Sequence, residues 1–305
     1  MHLKSKSVNV GPAKVYAIEE TRVRFKAELL FGESASSDAV RKELTWLDPD
    51  SVDAATGELI LSVQSFLIKT PTKTILIDTG CGNGRQRPSA LWSHMLNTPF
   101  LEELKALGVS PEGVDVVICT HLHVDHVGWN VRFDQGRWQA TFPNATYIFG
   151  AAEHAWWKHE HAIGGPGSSP HQRVAFDECV QPIVDLGRAR LVGPDFKLEG
   201  LDNLEIRLEP LPGHTPHQSG VHLFGGGQHI LFTADAVHHA VQFAHSDWHG
   251  RADTDRQLSH RTVANLIKRY TDTETILLLG HAPTLDEYRL VGGKDRVHLV
   301  SRSVK

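Results

Sequence analysis

The chain has 305 residues, 40% of them apolar and 22% charged, a balance that can bury a sizeable core and lacks the signature of disorder. Lys and Arg number 31 against 36 Asp and Glu, for a net charge of −5, so no positive excess is available to hold a nucleic-acid backbone. Apolar runs such as Ile276 to Leu279 fall far short of the ~18 to 20 residues that cross a bilayer, and neither nucleic acid nor membrane is expected as a partner.

Near the start, Lys4 and Lys6 lead into Val8-Asn9-Val10-Gly11-Pro12, which does not resemble the apolar stretch of a signal peptide, and a cytoplasmic protein is expected. Leu59 to Ile68 alternates loosely and Thr74 to Ile77 is a short apolar run, with Pro71-Thr72-Lys73 between them; this predicts a hairpin ending at Asp78-Thr79-Gly80. Phe100, Leu101, Leu104 and Leu107 repeat at helical spacing until Gly108, and the helix feeds a buried strand over Val114 to Thr120. An extended run at Thr146 to Phe149 precedes a helix beginning near Ala151, and the string from Ile163 to Pro170 reads as a surface connection before it reads as a lid. Strands return at Leu204 to Leu208, Gly220 to Phe224 and Ile230 to Thr233, the last two joined by a turn at Gly225-Gly226-Gly227. From Asp253 the chain reads as helical, with Thr254 and Gln257 spaced as a capping box, and a last core strand covers Thr275 to Leu279.

Cys81, Cys119 and Cys179 are an odd number, too far apart for a C-x-x-C motif, so buried free thiols are expected. Twenty histidines beside two methionines and four tyrosines raise metal ligation, because imidazole is the commonest protein ligand for transition metals. The sharpest signal is His121-Leu122-His123-Val124-Asp125-His126, four candidate ligands within six residues at the end of an apolar strand. Alternation places His121 and His123 on one side if the strand persists, and the loop turning at Gly128 can bring Asp125 and His126 toward a second point. Such a cluster can grip two metals, whereas packing it without metal would leave its desolvation unopposed.

This cluster, with Thr120 before it and Val127-Gly128 after it, resembles the metallo-β-lactamase superfamily of hydrolases. Asp78-Thr79-Gly80 is similar to the family's early turn, and Pro212-Gly213-His214-Thr215-Pro216 to the segment carrying its third histidine ligand. Thr233-Ala234-Asp235 is similar to the segment with the bridging aspartate, and Leu279-Gly280-His281 to the one with the last histidine. The resemblance implies an α/β fold, a four-layer αββα sandwich of two mixed β-sheets flanked by helices. It also implies a single domain over residues 1–305, with the N-terminal segment and the 82–100 and 158–180 loops around the pocket.

The resemblance further implies two divalent metal ions, zinc first, with manganese, iron, cobalt or nickel as alternatives. One is held by His121, His123 and His214, a second by Asp125, His126 and His281, and Asp235 bridges both. A hydroxide shared by the two ions is the implied nucleophile, with Asp125 or Asp235 accepting and returning a proton. Asp78 reads equally as the acceptor of a ligating imidazole's hydrogen bond and as an ordinary turn residue. His238 and His239 read as packed or surface groups ahead of a pocket role, and Trp129, Trp138, Trp156, Trp157 and Trp248 as core or cap material.

Two departures from the family pattern stand out. His217-Gln218 follow Pro216 where many lactone-cleaving relatives have Gly-His, and Ala234 replaces the more frequent glycine. Size and the spacing after His126 resemble most the quorum-quenching lactonase and methyl-parathion-hydrolase branch. The expected substrate is a small-molecule lactone or related carboxylic ester, with an organophosphate triester or another ester or thioester as the alternative; a homodimer is left open. Redox proteins of the same fold are disfavoured by His123 and the complete second-site set, and a non-catalytic metal-binding protein is the third reading.

Overall fold

The structure, a computed structural model, describes residues 6–87, 90–164, 169–293 and 297–301; residues 165–168 of the expected surface connection lie outside them. The first half of the chain contributes β1 (Ser7–Val10), β2 (Ala13–Phe25), β3 (Leu59–Lys69), β4 (Thr74–Ile77) and β5 (Val116–Cys119). A separate hairpin of β6 (Val131–Asp134) and β7 (Arg137–Ala140) follows, then β8 (Thr146–Gly150) and β9 (Ala189–Val192). These make a sheet of order β1-β2-β3-β4-β5-β8-β9, antiparallel through β4 and parallel from β4 to β9. The second half contributes β10 (Lys197–Leu198), β11 (Leu204–Pro210), β12 (Ser219–Gly225), β13 (Gln228–Phe232), β14 (Ile276–Leu278), β15 (Tyr288–Gly292) and β16 (Val297–Ser301). They form the second sheet in sequential order, with only the β13–β14 pair parallel. Both large sheets are therefore mixed, as expected.

Period-two alternation sorts the side chains between layers. In β4, Ile75 and Ile77 face the core between the sheets while Leu76 packs with the helices outside. In β13, Ile230 and Phe232 join that same central core while Leu231 faces the opposite flank. The helices are α1 (Ala27–Phe31), α2 (Ser37–Lys42), α3 (Phe100–Ala106), α4 (Ala151–Ile163), α5 (Pro170–Ala175), α6 (Gln181–Asp185) and α7 (Arg256–Tyr270). Phe100, Leu104 and Trp157 from α3 and α4 cover the first sheet, and Val263, Leu266 and Tyr270 from α7 cover the second, so the layers are helix, sheet, sheet, helix. Among the described residues no helix is long and apolar enough to cross a membrane, and all three cysteines are buried and free.

Two expectations need correction. The helix predicted from Asp253 starts at Arg256, and its cap is Asp255, whose side chain accepts from Leu258 N at 2.9 Å. Thr254 instead turns its hydroxyl to the His214 carbonyl at 2.9 Å, so the Thr254–Gln257 box does not form. The buried strand predicted to Thr120 ends at Cys119, and the histidine motif is loop. Strand β2, the longest among the described residues, went unpredicted because its register shifts between Glu19 and Thr21. The bulge puts Glu20 inside the protein and breaks the alternation a sequence reader follows.

Strand ends position the site. Asp78 follows β4, His121 to His126 follow β5, Asp235 follows β13 and His281 follows β14. All leave the carboxyl ends of parallel-paired strands, where an open α/β sheet collects its ligand groups.

Candidate metal centre

All seven side chains singled out in the sequence come together. His121, His123 and His214 form one triad of donor atoms, Asp125, His126 and His281 another, and His121, His126 and Asp235 a third between them; within each triad the donors lie within 4.8 Å of one another. Asp235 is central. Its Oδ2 lies 3.4 Å from His214 Nε2 and 3.2 Å from His281 Nε2, and its Oδ1 lies 3.3 Å from His126 Nε2. His123 presents Nδ1, 2.7 Å from His214 Nε2. Asp125 Oδ2 stands 3.7 Å from His126 Nε2 and 3.8 Å from His281 Nε2. Although strand geometry ends before the motif, His121 and His123 still meet, with ring centroids 4.7 Å apart.

The far nitrogen of each ring sets which nitrogen faces the centre. His126 Nδ1 is 2.8 Å from Asp78 Oδ2, and His281 Nδ1 is 2.8 Å from the Ser62 carbonyl. His121 Nδ1 pairs with the Thr120 hydroxyl at 3.1 Å, and His214 Nδ1 with Asp253 Oδ1 at 2.9 Å. Asp78 serves as both turn and anchor: it sits at φ +57° and also accepts from Thr120 N at 2.7 Å.

Burial opposes ionisation of Asp235, but His281, His126 and His214 outweigh it and hold the carboxyl well below its usual range. His281 is buried as well, yet Asp235 and Asp125 push it up to about 9. Burial, with His126 adding repulsion, drives His121 well below the ordinary imidazole value, and His123 follows with His214 as neighbour. The donor set suits a divalent cation: it contains only imidazole nitrogen and carboxylate oxygen, and His121 Nε2, His126 Nε2 and Asp235 Oδ1 have no hydrogen-bond partner. Orphaned buried groups cost ~1 to 3 kcal/mol each, a penalty that coordination to a cation removes.

A cavity of about 250 Å³ opens over these groups. Val23, Phe25, Leu29, Leu30, Leu61, Val63 and Trp92 form its apolar wall, with His171, Gln172, His238 and Arg251 as further polar lining. His238 thus belongs to the cavity, and burial lowers its pKa to about 4. His239 is structural: it caps a short helix, accepting from Val241 N at 3.1 Å, and pairs with the Ser51 carbonyl at 3.0 Å. His217 lines a different hollow beside Gly150 and Pro210, while Gln218 closes the loop by donating to the Leu211 carbonyl at 2.9 Å.

Three carboxylates escaped the sequence reading. Asp253 holds His214. Glu153 accepts from Thr215 Oγ1 at 2.9 Å and from Trp157 Nε1 at 2.8 Å, tying the His214 loop to α4, and burial pushes its pKa up to about 7. Glu20 accepts from Cys81 N at 2.5 Å, Gly82 N at 3.0 Å and Trp129 Nε1 at 2.6 Å, staple-like behind the Asp78 turn. None has a local motif that would mark it.

A family model described as the metallo-beta-lactamase superfamily matches residues 60–281. The chain is 28% identical to the N-acyl homoserine lactonase AiiB of Agrobacterium fabrum, over 78% of this chain and 85% of that one. It is 25% identical to an N-acyl homoserine lactonase of a Bacillus species, over 77% and 88% respectively. Among solved structures it superposes with TM-score 0.78 on AidC, a dizinc quorum-quenching lactonase, at 18% identity and 99% and 98% coverage. The hydrolase AbOPH of the beta lactamase superfamily gives the same TM-score at 21% identity, covering all of both chains. At such identities the two superpositions speak to the fold.

Proposed function

The chain belongs to the metallo-beta-lactamase superfamily, and from that premise we propose that it is a dinuclear metal-dependent hydrolase that opens a lactone or cleaves a related carboxylic ester. The convergence of seven donors around Asp235 carries the reading. His121, His123 and His214 would hold one ion and Asp125, His126 and His281 the other, with Asp235 shared. Two divalent ions bound there supply Lewis acidity toward the ester oxygen and bring the pKa of water toward ~7. Zinc is the first choice for this nitrogen and oxygen set.

The chain's own groups do the rest. Asp125 lines the cavity with Oδ2 turned to His126 and His281; its Oδ1 takes the proton of the attacking water and returns it to the departing alkoxide. Asp235 fixes the spacing of the two triads and stays ionised. The apolar wall from Val23 to Trp92 receives the acyl part and keeps bulk water away. The whole chain acts as one unit, since the core between the two sheets draws on both halves and the 82–100 and 158–180 segments send Trp92, His171 and Gln172 to the cavity. Three buried free thiols agree with a cytoplasmic setting.

The test couples metal quantification with a substrate panel of acyl-homoserine lactones, aryl esters, β-lactams and paraoxon-like triesters. The expected result is about two metal equivalents per chain, lactone opening ahead of the other classes, loss on chelation and recovery with zinc. Asp125→Ala should lose both metal and turnover. Protein that takes up no ion under any loading condition, or metal-loaded protein inert toward the whole panel, overturns the proposal; triester turnover ahead of lactones moves the assignment to phosphoryl substrates.

A further inference from the structure

We infer that Asp253 is the positioning residue of His214 and sets the affinity of one of the two ions without setting that of the other. The inference rests on the two-metal reading above. Asp253 has 0% side-chain exposure, and its Oδ1 is 2.9 Å from His214 Nδ1. A carboxylate only accepts, so Nδ1 must carry the hydrogen, and the lone pair of Nε2 is left pointing at His123 Nδ1 and Asp235 Oδ2, 2.7 and 3.4 Å away.

The same short segment also clasps the backbone beneath that ring. Thr254 N and Thr254 Oγ1 both donate to the His214 carbonyl, at 3.0 and 2.9 Å, and Asp255 N donates to the Gly213 carbonyl at 3.0 Å. Gly213 itself runs so close to α7 that an added Cβ would stand 2.4 Å from the Ser259 backbone. Ring and main chain are therefore fixed by one three-residue stretch leading into α7.

The second triad has a different carboxylate behind it. His126, in the second triad, relies on Asp78 at 2.8 Å, which arrives from the first sheet. Asp253 thus backs His214, whereas Asp78 backs His126 directly and His121 through the Thr120 hydroxyl; a charged acceptor behind an imidazole both orients it and strengthens it as a donor, and removing such partners costs 10- to 100-fold in metal affinity as a rough rule. One nitrogen each of His214 and His238 and one oxygen of Asp253 lie within 4.8 Å of one another, so the experiment must also separate an anchor from a ligand.

Metal-free full-length protein is titrated with zinc, and with cobalt(II) for its visible absorption, reading the equivalents bound and the affinity of each step. Asp253→Ala should weaken one step by about 10- to 100-fold, change the cobalt spectrum of that site, and leave the other step as in the unaltered protein. His214→Ala should remove the same step, and adding Asp253→Ala to it should cause no further loss. Asp78→Asn should weaken the opposite step most, with a smaller loss in the first step through Thr120 and His121. Thr254→Ala, which loosens the loop without touching the ring, should leave both steps in place. If Asp253→Ala does not fold, Asp253→Asn carries the test, since it keeps the acceptor and loses the charge; a selective loss near the ~10-fold end is then expected. Wild-type affinities in the Asp253 variant, an equal loss in both steps, or a third equivalent that vanishes with Asp253 would each overturn the inference while two-metal binding stands. Failure of the unaltered protein to bind two ions would bring down the underlying reading and this inference with it.

Discussion

A buried imidazole offers only one nitrogen to its centre, so the atom behind it decides what it can do. Four rings here have that second partner: Asp78, Thr120, Asp253 and the Ser62 carbonyl. At Ala234, next to Asp235, the backbone sits at φ +48°, where an L-residue is held at a cost of about 1 to 2 kcal/mol and glycine is not. The family's more frequent glycine fits that angle, though it adds freedom to the unfolded chain. Ala234→Gly should therefore raise stability by up to about 1 kcal/mol, the strain relieved less the entropy added. Urea unfolding of metal-free protein measures this; a lower midpoint for the variant would contradict it.

At the scale of elements, strand β2 and helix α7 show local rules bent by tertiary needs. The bulge at Glu20 interrupts β2 and delivers a carboxylate to three donors that would otherwise be orphaned beneath the Asp78 turn. The cap of helix α7 falls one position beyond the expected Thr254, because Thr254 is engaged with His214 and Asp255 takes over the cap. Asp255→Ala should cost about 1 kcal/mol, the usual worth of such a cap, seen as a lower urea midpoint with an unchanged m-value. No change in midpoint would mean that tertiary packing alone holds the first turn.

For the whole molecule, acid sensitivity should arise away from the centre as well as in it. On the face of the second sheet turned toward α7, His222 Nδ1 lies 2.7 Å from His229 Nε2, and Glu209 Oε2 lies 2.5 Å from His222 Nε2. Burial, with repulsion from His222, holds His229 down at about 4 against an ordinary 6.5. Burial opposes ionisation of Glu209, but His222 and Arg269 prevail and bring it to about 2. From pH 6.5 down to about 4 the unfolded chain takes a proton that folded His229 refuses, so stability falls with pH. Below the ordinary carboxyl value of 4.5, Glu209 adds a second loss as pH falls toward about 2. His229→Gln should flatten the melting temperature against pH in the upper window; an identical slope would remove His229 as its source.

Metal removal is the second whole-molecule lever. An ion that binds only the folded chain stabilises it by about 2.7 kcal/mol at a hundredfold excess over Kd, and this centre has orphaned donors to satisfy. Chelation should lower the melting temperature and zinc should restore it; a melting curve indifferent to both would mean that no ion is coupled to folding.

What could be read directly was local or repetitive. The hairpin of β3 and β4, strands β11 to β14 and helices α3, α4 and α7 were visible because apolar periodicity reports which face is buried. The His121 to His126 cluster was visible because four donors are adjacent in the chain, and His214, Asp235 and His281 because each lies in a recognisable short motif. Asp253, Glu153, Glu20 and the cavity residue Trp92 had no such mark. Each is a single side chain whose partners are remote in sequence: Asp253 meets His214 across 39 positions and Glu20 meets Trp129 across 109. Donor chemistry can be written in a few neighbouring letters, but orientation requires two strand ends and a helix cap to arrive at one place, and only packing of the two sheets brings that about.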